Sequence, residues 1–167
     1  ESLFNQNFST ATDSYNVAVG YSAGQQVTTG QYNTLIGGEA GDAITDADFN
    51  VALGYSALGG NTVGSSSVAI GSYALLNQNP ATAASMLNVA VGQSAGQSVT
   101  TGIQNTIVGG LAGDALTDAD FNTAIGVIAL GSDTLGSHNT AIGHGTLSVQ
   151  NFTTATDAYN TAVGSQA

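Results

Sequence analysis

Two groups of aspartates have residue types and spacing that could do chemistry. They occur in nearly identical stretches and comprise Asp42, Asp46, Asp48, Asp114, Asp118 and Asp120. Carboxylate oxygens are preferred ligands of Ca²⁺, so both stretches are candidate calcium sites. Their spacing matches neither an EF-hand loop nor the nonapeptide calcium repeat. The alternative is that the carboxylates cap turns and keep the surface hydrated, and the sequence assigns no residue as a metal ligand.

The two histidines, His138 and His144, are the other side chains that could bind a metal ion. A strand and a turn between them could bring the two rings together, within one chain or across chains. Their equivalents in an earlier copy of the same stretch are Ser66 and Ser72. Because neither histidine is repeated, a variable surface position is the alternative to a metal site.

Catalysis has few candidate residues in this composition. The chain contains no Lys, Arg or Cys. Ser, His and Asp occur, but they are spread over repeated stretches and do not form one non-repeating set of acid, base and nucleophile. The sequence therefore predicts no catalytic residue, no cofactor and no enzymatic activity.

Aromatic side chains offer a further kind of site, because their rings could stack on sugar rings. The candidates are Tyr15, Tyr21, Tyr32, Tyr55, Tyr73, Tyr159, Phe49 and Phe121. Phe49 and Phe121 lie just before a repeat unit begins, where packing at a corner of the fold is the alternative role.

The charge balance excludes two classes of partner. Eleven acidic residues with no Lys or Arg give a formal charge of −11, whereas nucleic-acid binding depends on cationic side chains that neutralise phosphate. An anionic membrane surface is disfavoured for the same reason. No stretch approaches the roughly 20 apolar residues that span a bilayer, so we expect no membrane insertion by this segment. Apolar residues still make up 42% of the chain, which is enough for a core.

A five-residue unit that ends in glycine positions all of these side chains. It reads Asn-Val-Ala-Val-Gly at 16–20 and recurs with similar sequence along the whole chain. The units begin at Asn16, Asn33, Asn50, Ser67, Asn88, Asn105, Asn122, Asn139 and Asn160. The intervals are 17, 17, 17 and 21 residues, and this series occurs twice, which adds a second period of 72 residues. Self-similarity at fixed periods is typical of repeat architectures.

These periods divide the chain into one repeat segment, 1–167, with four parts. Residues 1–15 fit the end of a preceding coil, 16–87 and 88–159 are two super-repeats, and 160–167 begin a further coil. We therefore expect the segment to continue in a longer protein.

The units predict an all-β parallel β-roll or β-solenoid. Alternation with period two is typical of strands, and the residues that flank the central position are Val, Ile, Leu or Thr, which favour strands. The central residue is Ala except for Leu35 and Ile107, which indicates little space on its side. We predict coils of two short strands and two turns, with the leading asparagines hydrogen-bonded in a ladder along the rod.

The units resemble head-domain repeats of bacterial trimeric autotransporter adhesins and related repeats of phage and viral fibres. The resemblance rests on Asn-Thr-Ala-Ile-Gly, on Ser-Val-Ala-Ile-Gly and on the stretch 61–75. It implies a left-handed roll, three chains packed side by side, and an extracellular, cell-surface or virion-surface location. The coils of adhesin heads are shorter than the 17- and 21-residue coils of this chain.

Three functions are compatible with this interpretation. The first is a structural and adhesive segment of a homotrimeric fibre, a stiff rod that presents a surface to a host glycan or protein. The second is an extracellular filament subunit that stacks end to end through open coil edges. The third is an ice-binding solenoid, suggested by threonines that open several units: Thr34, Thr106, Thr123, Thr140 and Thr161.

Overall fold

The computed structural model describes residues 1–167 and contains thirteen short strands and no helix. Consequently it holds no helix that could cross a membrane. The strands are β1 Val17–Val19, β2 Thr34–Ile36, β3 Val51–Leu53, β4 Gly64–Ser65, β5 Val68–Ile70, β6 Ala84–Ser85, β7 Val89–Val91, β8 Thr106–Val108, β9 Thr123–Ile125, β10 Gly136–Ser137, β11 Thr140–Ile142, β12 Thr156–Asp157 and β13 Thr161–Val163.

Nine of these strands form one continuous parallel sheet, which we call the main sheet. Its order is β1-β2-β3-β5-β7-β8-β9-β11-β13, so each strand pairs with its copies in the coils before and after. Val17 pairs with Thr34, and Thr140 pairs with Thr161 across a longer coil. The chain is therefore a parallel β-solenoid of about nine turns, and the all-β solenoid prediction is confirmed.

The side of each coil opposite the main sheet differs from the prediction of a second strand. It is a chain of tight turns in most coils, and a second strand forms only in the pairs β4–β6 and β10–β12. The backbone after each unit enters the left-handed region at alternate positions, for example at Ser56 (φ 51°) and Leu58 (φ 52°). Left-handed residues interrupt an extended backbone, so these segments turn and do not pair as strands.

In most coils one large side chain fills the interior, and it comes either from the strand centre or from the facing turn. In one coil the strand centre is Leu35, and the facing turn contains Gly41, where an added Cβ would lie 2.8 Å from the Leu35 side chain. In the next coil the strand centre is Ala52, and Leu58 fills the space from the turn; Leu35, Ala52 and Leu58 are fully buried. The second super-repeat alternates in the same way, with Ile107 and Gly113 in one coil and Ala124 and Leu130 in the next.

The glycine that closes each unit lies at a close approach between coils. Gly71 has φ of 129°, and a Cβ added there would lie 2.4 Å from the carbonyl oxygen of Gly92 in the coil above. No side chain fits in that space, and the left-handed φ is itself unfavourable for other residues. The repeated glycine therefore sets the spacing of the coils at this edge of the main sheet.

The core alternation predicts a non-additive effect of two substitutions. Leu35→Ala alone should cost about 2–5 kcal/mol of unfolding free energy, and Gly41→Leu alone should be destabilising because its side chain meets Leu35 and Ile44. The double variant should be more stable than the sum of the single effects by about 1–3 kcal/mol. Urea unfolding of the four proteins measures this difference, and strict additivity would contradict the proposed exchange of volume.

Candidate functional site

The acidic corners are occupied by hydrogen bonds between coils. The hydroxyls of Thr28 and Thr29 donate to Oδ1 of Asp46 at 3.1 and 2.7 Å, and Thr101 donates in the same way to Asp118. Oδ1 of Asp48 accepts the backbone N–H of Gln31 at 2.7 Å. These carboxylates therefore connect one coil to the preceding one.

The structure does not bring the candidate calcium ligands together. No group of three or more His, Asp or Glu side chains is placed to hold one metal ion. In the second super-repeat, Asp120 accepts the backbone N–H of Ile103 at 2.7 Å, which repeats the bond of Asp48. The geometry of these corners favours turn capping over Ca²⁺ binding.

Asp42 and Asp114 occupy a different environment from the other corner aspartates. Partial burial raises the pKa of the Asp42 carboxyl above its ordinary value of 3.8, and the nearby Glu39 carboxylate raises this pKa further. Partial burial also raises the pKa of Asp114. The residue at the Glu39 position of the second super-repeat is Leu111, so Asp114 lacks the repulsion that acts on Asp42.

The two histidines have different surroundings. His138 lies within an aromatic stack, with ring centroids 4.8 Å from Phe121 and 4.7 Å from Tyr159. Its Nε2 is 3.8 Å from a carboxylate oxygen of Asp157. His144 is exposed and follows the closing glycine of its unit. The structure therefore gives His138 a packing role in the rank of aromatic residues.

Most of the aromatic rings directly before a repeat unit stack on one another. The sequence suggests these rings as sugar-stacking residues. Tyr32 lies between Tyr15 and Phe49, at centroid distances of 5.2 and 4.9 Å and with nearly parallel rings. Tyr55 and Tyr73 form an edge-to-face pair on another side of the solenoid. Because the faces of Tyr32 and His138 are covered by neighbouring rings, sugar stacking is limited to the ends of each stack.

The asparagine ladder is built from bonds between side chains and backbone. Oδ1 of Asn33 accepts the backbone N–H of Asn50 at 3.0 Å, and the Asn33 side-chain amide donates to the carbonyl of Ala47 at 2.8 Å. Each asparagine thus connects its own coil to the next one. At Ser67 the ladder changes, because the hydroxyl donates to Oε1 of Gln78 at 3.1 Å.

Two buried polar groups were not predicted from the sequence. Asp133 is fully buried and accepts the backbone N–H groups of Gly136 and Phe152 and the side-chain amide of Gln150. Asn61 occupies the same position in the first super-repeat and bonds both backbone groups of Gly64. The only sequence signal is that polar residues stand at these positions whenever the turn contains Leu58 or its equivalents.

The main sheet has an exposed outer face formed by the first and third residues of its nine strands. The third residues form what we call the aliphatic rank: Val19, Ile36, Leu53, Ile70, Val91, Val108, Ile125, Ile142 and Val163. Val19 is 59% exposed and Leu53 is 45% exposed, whereas the strand centres between these positions point into the core. The aliphatic rank therefore runs along the whole outer face of the main sheet.

One concave pocket lies against the last coils. Its lining includes Leu147, Val149 and Gln150. It contains no acidic or basic side chain, so its lining offers no general acid or base. Comparisons with protein-family models, curated proteins and solved structures gave no match.

The raised pKa of Asp42 predicts a pH-dependent effect of Asp42→Asn. A carboxyl whose pKa is higher in the folded than in the unfolded state opposes folding once it ionises, so the penalty is absent below the ordinary value of 3.8 and complete above the folded pKa. The variant should gain on the order of 0.5 kcal/mol at pH 7, after allowance for solvent screening, and nothing at pH 3. Thermal unfolding at both pH values tests this.

Glu39→Gln and Asp114→Asn are the matched controls for this effect. Glu39→Gln should be more favourable to stability in the wild type than in the Asp42→Asn protein, because the repulsion needs both carboxylates, whereas the bond that Glu39 accepts from the Ser56 hydroxyl is affected equally in the two backgrounds. Asp114→Asn should stabilise whether or not Glu39 is present. A loss of stability at pH 7 in both aspartate variants would overturn this assignment.

Asn139 is an exception within the asparagine ladder, and this leads to a prediction. Its side-chain amide nitrogen is buried without a hydrogen-bond partner, whereas that of Asn122 donates to the carbonyl of Gly136 at 2.9 Å. Asn122→Ser should cost about 1–2 kcal/mol of unfolding free energy. Asn139→Ser should cost clearly less, because it removes an unsatisfied buried nitrogen together with the longer, 3.3 Å bond from the Asn160 N–H to the Asn139 Oδ1. Equal losses in urea unfolding would contradict this account of the ladder.

Proposed function

We propose that this chain is a rod-like segment of an extracellular fibre in which three copies pack side by side. Its coils of 17 and 21 residues stack into a solenoid that holds a binding surface away from its base. The role is mechanical and adhesive, at a cell or virion surface. The resemblance of the units to trimeric autotransporter adhesin heads and phage-like tail fibres supports this proposal.

The aliphatic rank is the observation that carries the proposal. Nine strands spaced at about 4.8 Å make a strip roughly 40 Å long. The first and third residues of every strand in this strip are Val, Ile, Leu or Thr. Contiguous exposed apolar patches of more than a few hundred Å² mark interaction surfaces in soluble proteins. Packing of copies against this strip would remove the aliphatic side chains from water.

The hydrogen bonds of the structure favour a stiff rod. Backbone bonds run from coil to coil on all sides, for example from Gly37 N–H to the Val19 carbonyl at 2.8 Å and from Gly41 N–H to the Ala57 carbonyl at 2.9 Å. Bending the rod would lengthen several of these bonds at once. A segment of this kind transmits force along its axis and keeps exposed surfaces in a fixed order.

The partner of the fibre, in this proposal, is a host-surface glycan or protein. The surface carries carboxylates and aromatic rings but no Lys or Arg. Such a surface suits hydrogen bonding and apolar contact, and it repels polyanions such as nucleic acid.

Ice binding is a second candidate, supported by the order of threonines on the outer face. Thr106, Thr123, Thr140 and Thr161 are paired in register on consecutive strands of the main sheet. The first four coils have Val17, Thr34, Val51 and Val68 at this position, so the regular row covers only part of the face. A thermal-hysteresis assay on the purified chain decides this alternative.

The fibre proposal predicts that a charge in the aliphatic rank separates the copies. Light scattering of the wild type should give a mass of three chains that stays constant over a range of concentrations. Ile70→Glu should give a single chain, because like charges would meet in the packed face. Thr82→Glu is the matched control, since Thr82 lies in an exposed loop away from the main sheet, and it should keep the wild-type mass.

Two other results would contradict the side-by-side trimer. A wild-type mass of one chain would remove the role of the aliphatic rank in assembly. A mass that rises with concentration, and that Ile70→Glu leaves unchanged, would favour a filament whose coils stack end to end.

A further inference from the structure

The residues that precede the units form a second exposed row, which we call the corner rank. They all have a left-handed backbone and comprise Tyr15, Tyr32, Phe49, Ser66, Leu87, Gln104, Phe121, His138 and Tyr159. A left-handed conformation at equivalent positions directs the side chains in the same way from coil to coil. This explains why aromatic residues in neighbouring coils stack face to face.

In the second super-repeat the corner rank contains a complete sandwich of three rings. The imidazole of His138 lies between Phe121 and Tyr159, with interplanar angles of 13° and 17° and centroid distances of 4.8 and 4.7 Å. The backbone N–H of His138 donates to the carbonyl of Asp120 at 3.0 Å. The spacing of the coils therefore accommodates one flat ring between its two neighbours.

In the first super-repeat the same position is Ser66, and the middle ring is missing. The backbone is unchanged: φ is 63° at Ser66 and 61° at His138, and the Ser66 N–H donates to the carbonyl of Asp48 at 3.0 Å. Phe49 lies one coil before Ser66 and Leu87 one coil after it. The two flanking side chains are thus two coil heights apart, about 9.6 Å.

The side chains on both sides of Ser66 are accessible to a ligand. Phe49 is 57% exposed although Tyr32 covers one of its faces, and Leu87 is 50% exposed. The same coil spacing holds one imidazole between Phe121 and Tyr159 in the second super-repeat. The space over Ser66, between Phe49 and Leu87, is therefore one ring thick, and we call it the Ser66 slot.

We propose that the Ser66 slot binds one small planar aromatic molecule, neutral or cationic, in the position that His138 fills in the second super-repeat. The ligand ring stacks on the free face of Phe49, contacts Leu87 on its other side, and can hydrogen-bond to the Ser66 hydroxyl. An anionic ring is disfavoured by the formal charge of −11 and the absence of Lys and Arg. This inference concerns another surface than the aliphatic rank and does not depend on the fibre proposal.

The detached side chain of histidine, 4-methylimidazole, is the direct probe of the slot. Titration of the wild type, followed through the NMR signals of the Phe49 ring, should show saturable ring-current shifts with a Kd on the order of 1–10 mM, as expected for a ligand of this size. Benzoate, a ring of similar thickness with a negative charge, should give no saturable shift at the same concentrations.

Two substitutions exchange the filled and empty positions. Ser66→His should fill the slot with the protein's own imidazole and lower the affinity for 4-methylimidazole at least tenfold. His138→Ser should open a second slot between Phe121 and Tyr159 and raise the binding stoichiometry from one to two. Unchanged strand signals in circular dichroism and unchanged mass in light scattering establish that each variant keeps its fold and assembly.

Three results would overturn the proposal. They are the absence of saturable shifts in the wild type, binding that Ser66→His leaves unchanged, and a stoichiometry of one in His138→Ser. None of these results bears on the number of chains in the assembly, so the slot and the fibre can fail separately.

Discussion

Hydrogen bonds directed along the solenoid axis are the interaction on which the rest of the structure depends. A buried backbone N–H or carbonyl without a partner is costly, and a coil this short has few partners within itself. The bonds therefore run to the coils above and below, through the main sheet and through turn residues such as Gly24, whose N–H donates to the carbonyl of Ala40. This arrangement works only when every coil has nearly the same shape.

The requirement for equal coils explains the repeated residues. A closing glycine is needed in each coil because the next coil passes within 2.4 Å of where a Cβ would be, as at Gly71. An asparagine at the start of a unit satisfies a backbone N–H that the main sheet does not reach, as Asn105 does for Asn122 at 2.9 Å. The longer coils disturb this pattern, and the buried side-chain nitrogens without a partner, in Gln78 and Asn139, occur there.

The parts of the fold that follow from local repetition could be predicted from the sequence. The five-residue units predict the strands, their parallel pairing and the inward-facing Ala52 and Leu35, because a repeated sequence placed in register dictates all three. The prediction of a second strand in each coil was wrong for most coils. The residues of this segment alternate in polarity much as those of a strand do. A leucine such as Leu58 nevertheless adopts a left-handed backbone, because its side chain then fills the core. This depends on the packed interior and not on the local sequence.

The candidate sites were less accessible to sequence reasoning for a related reason. The carboxylates of Asp46 and Asp48 suggested a metal site through their spacing, whereas the structure shows their oxygens engaged by Thr28, Thr29 and Gln31 of the preceding coil. The sequence identified each aromatic residue individually. Their stacking, and the gap that Ser66 leaves in it, depend on a shared left-handed backbone that sequence spacing does not reveal.

Native-state hydrogen exchange, measured residue by residue with NMR, shows whether the axial hydrogen bonds hold successive coils together. The amide protons of Asn105 and Asn122, which donate to the side-chain oxygens of Asn88 and Asn105, should exchange as slowly as those of the buried strand centres. Exchange of these two amides at the rate of an exposed loop, such as 153–155, would contradict this prediction, because the ladder would then not hold successive coils together.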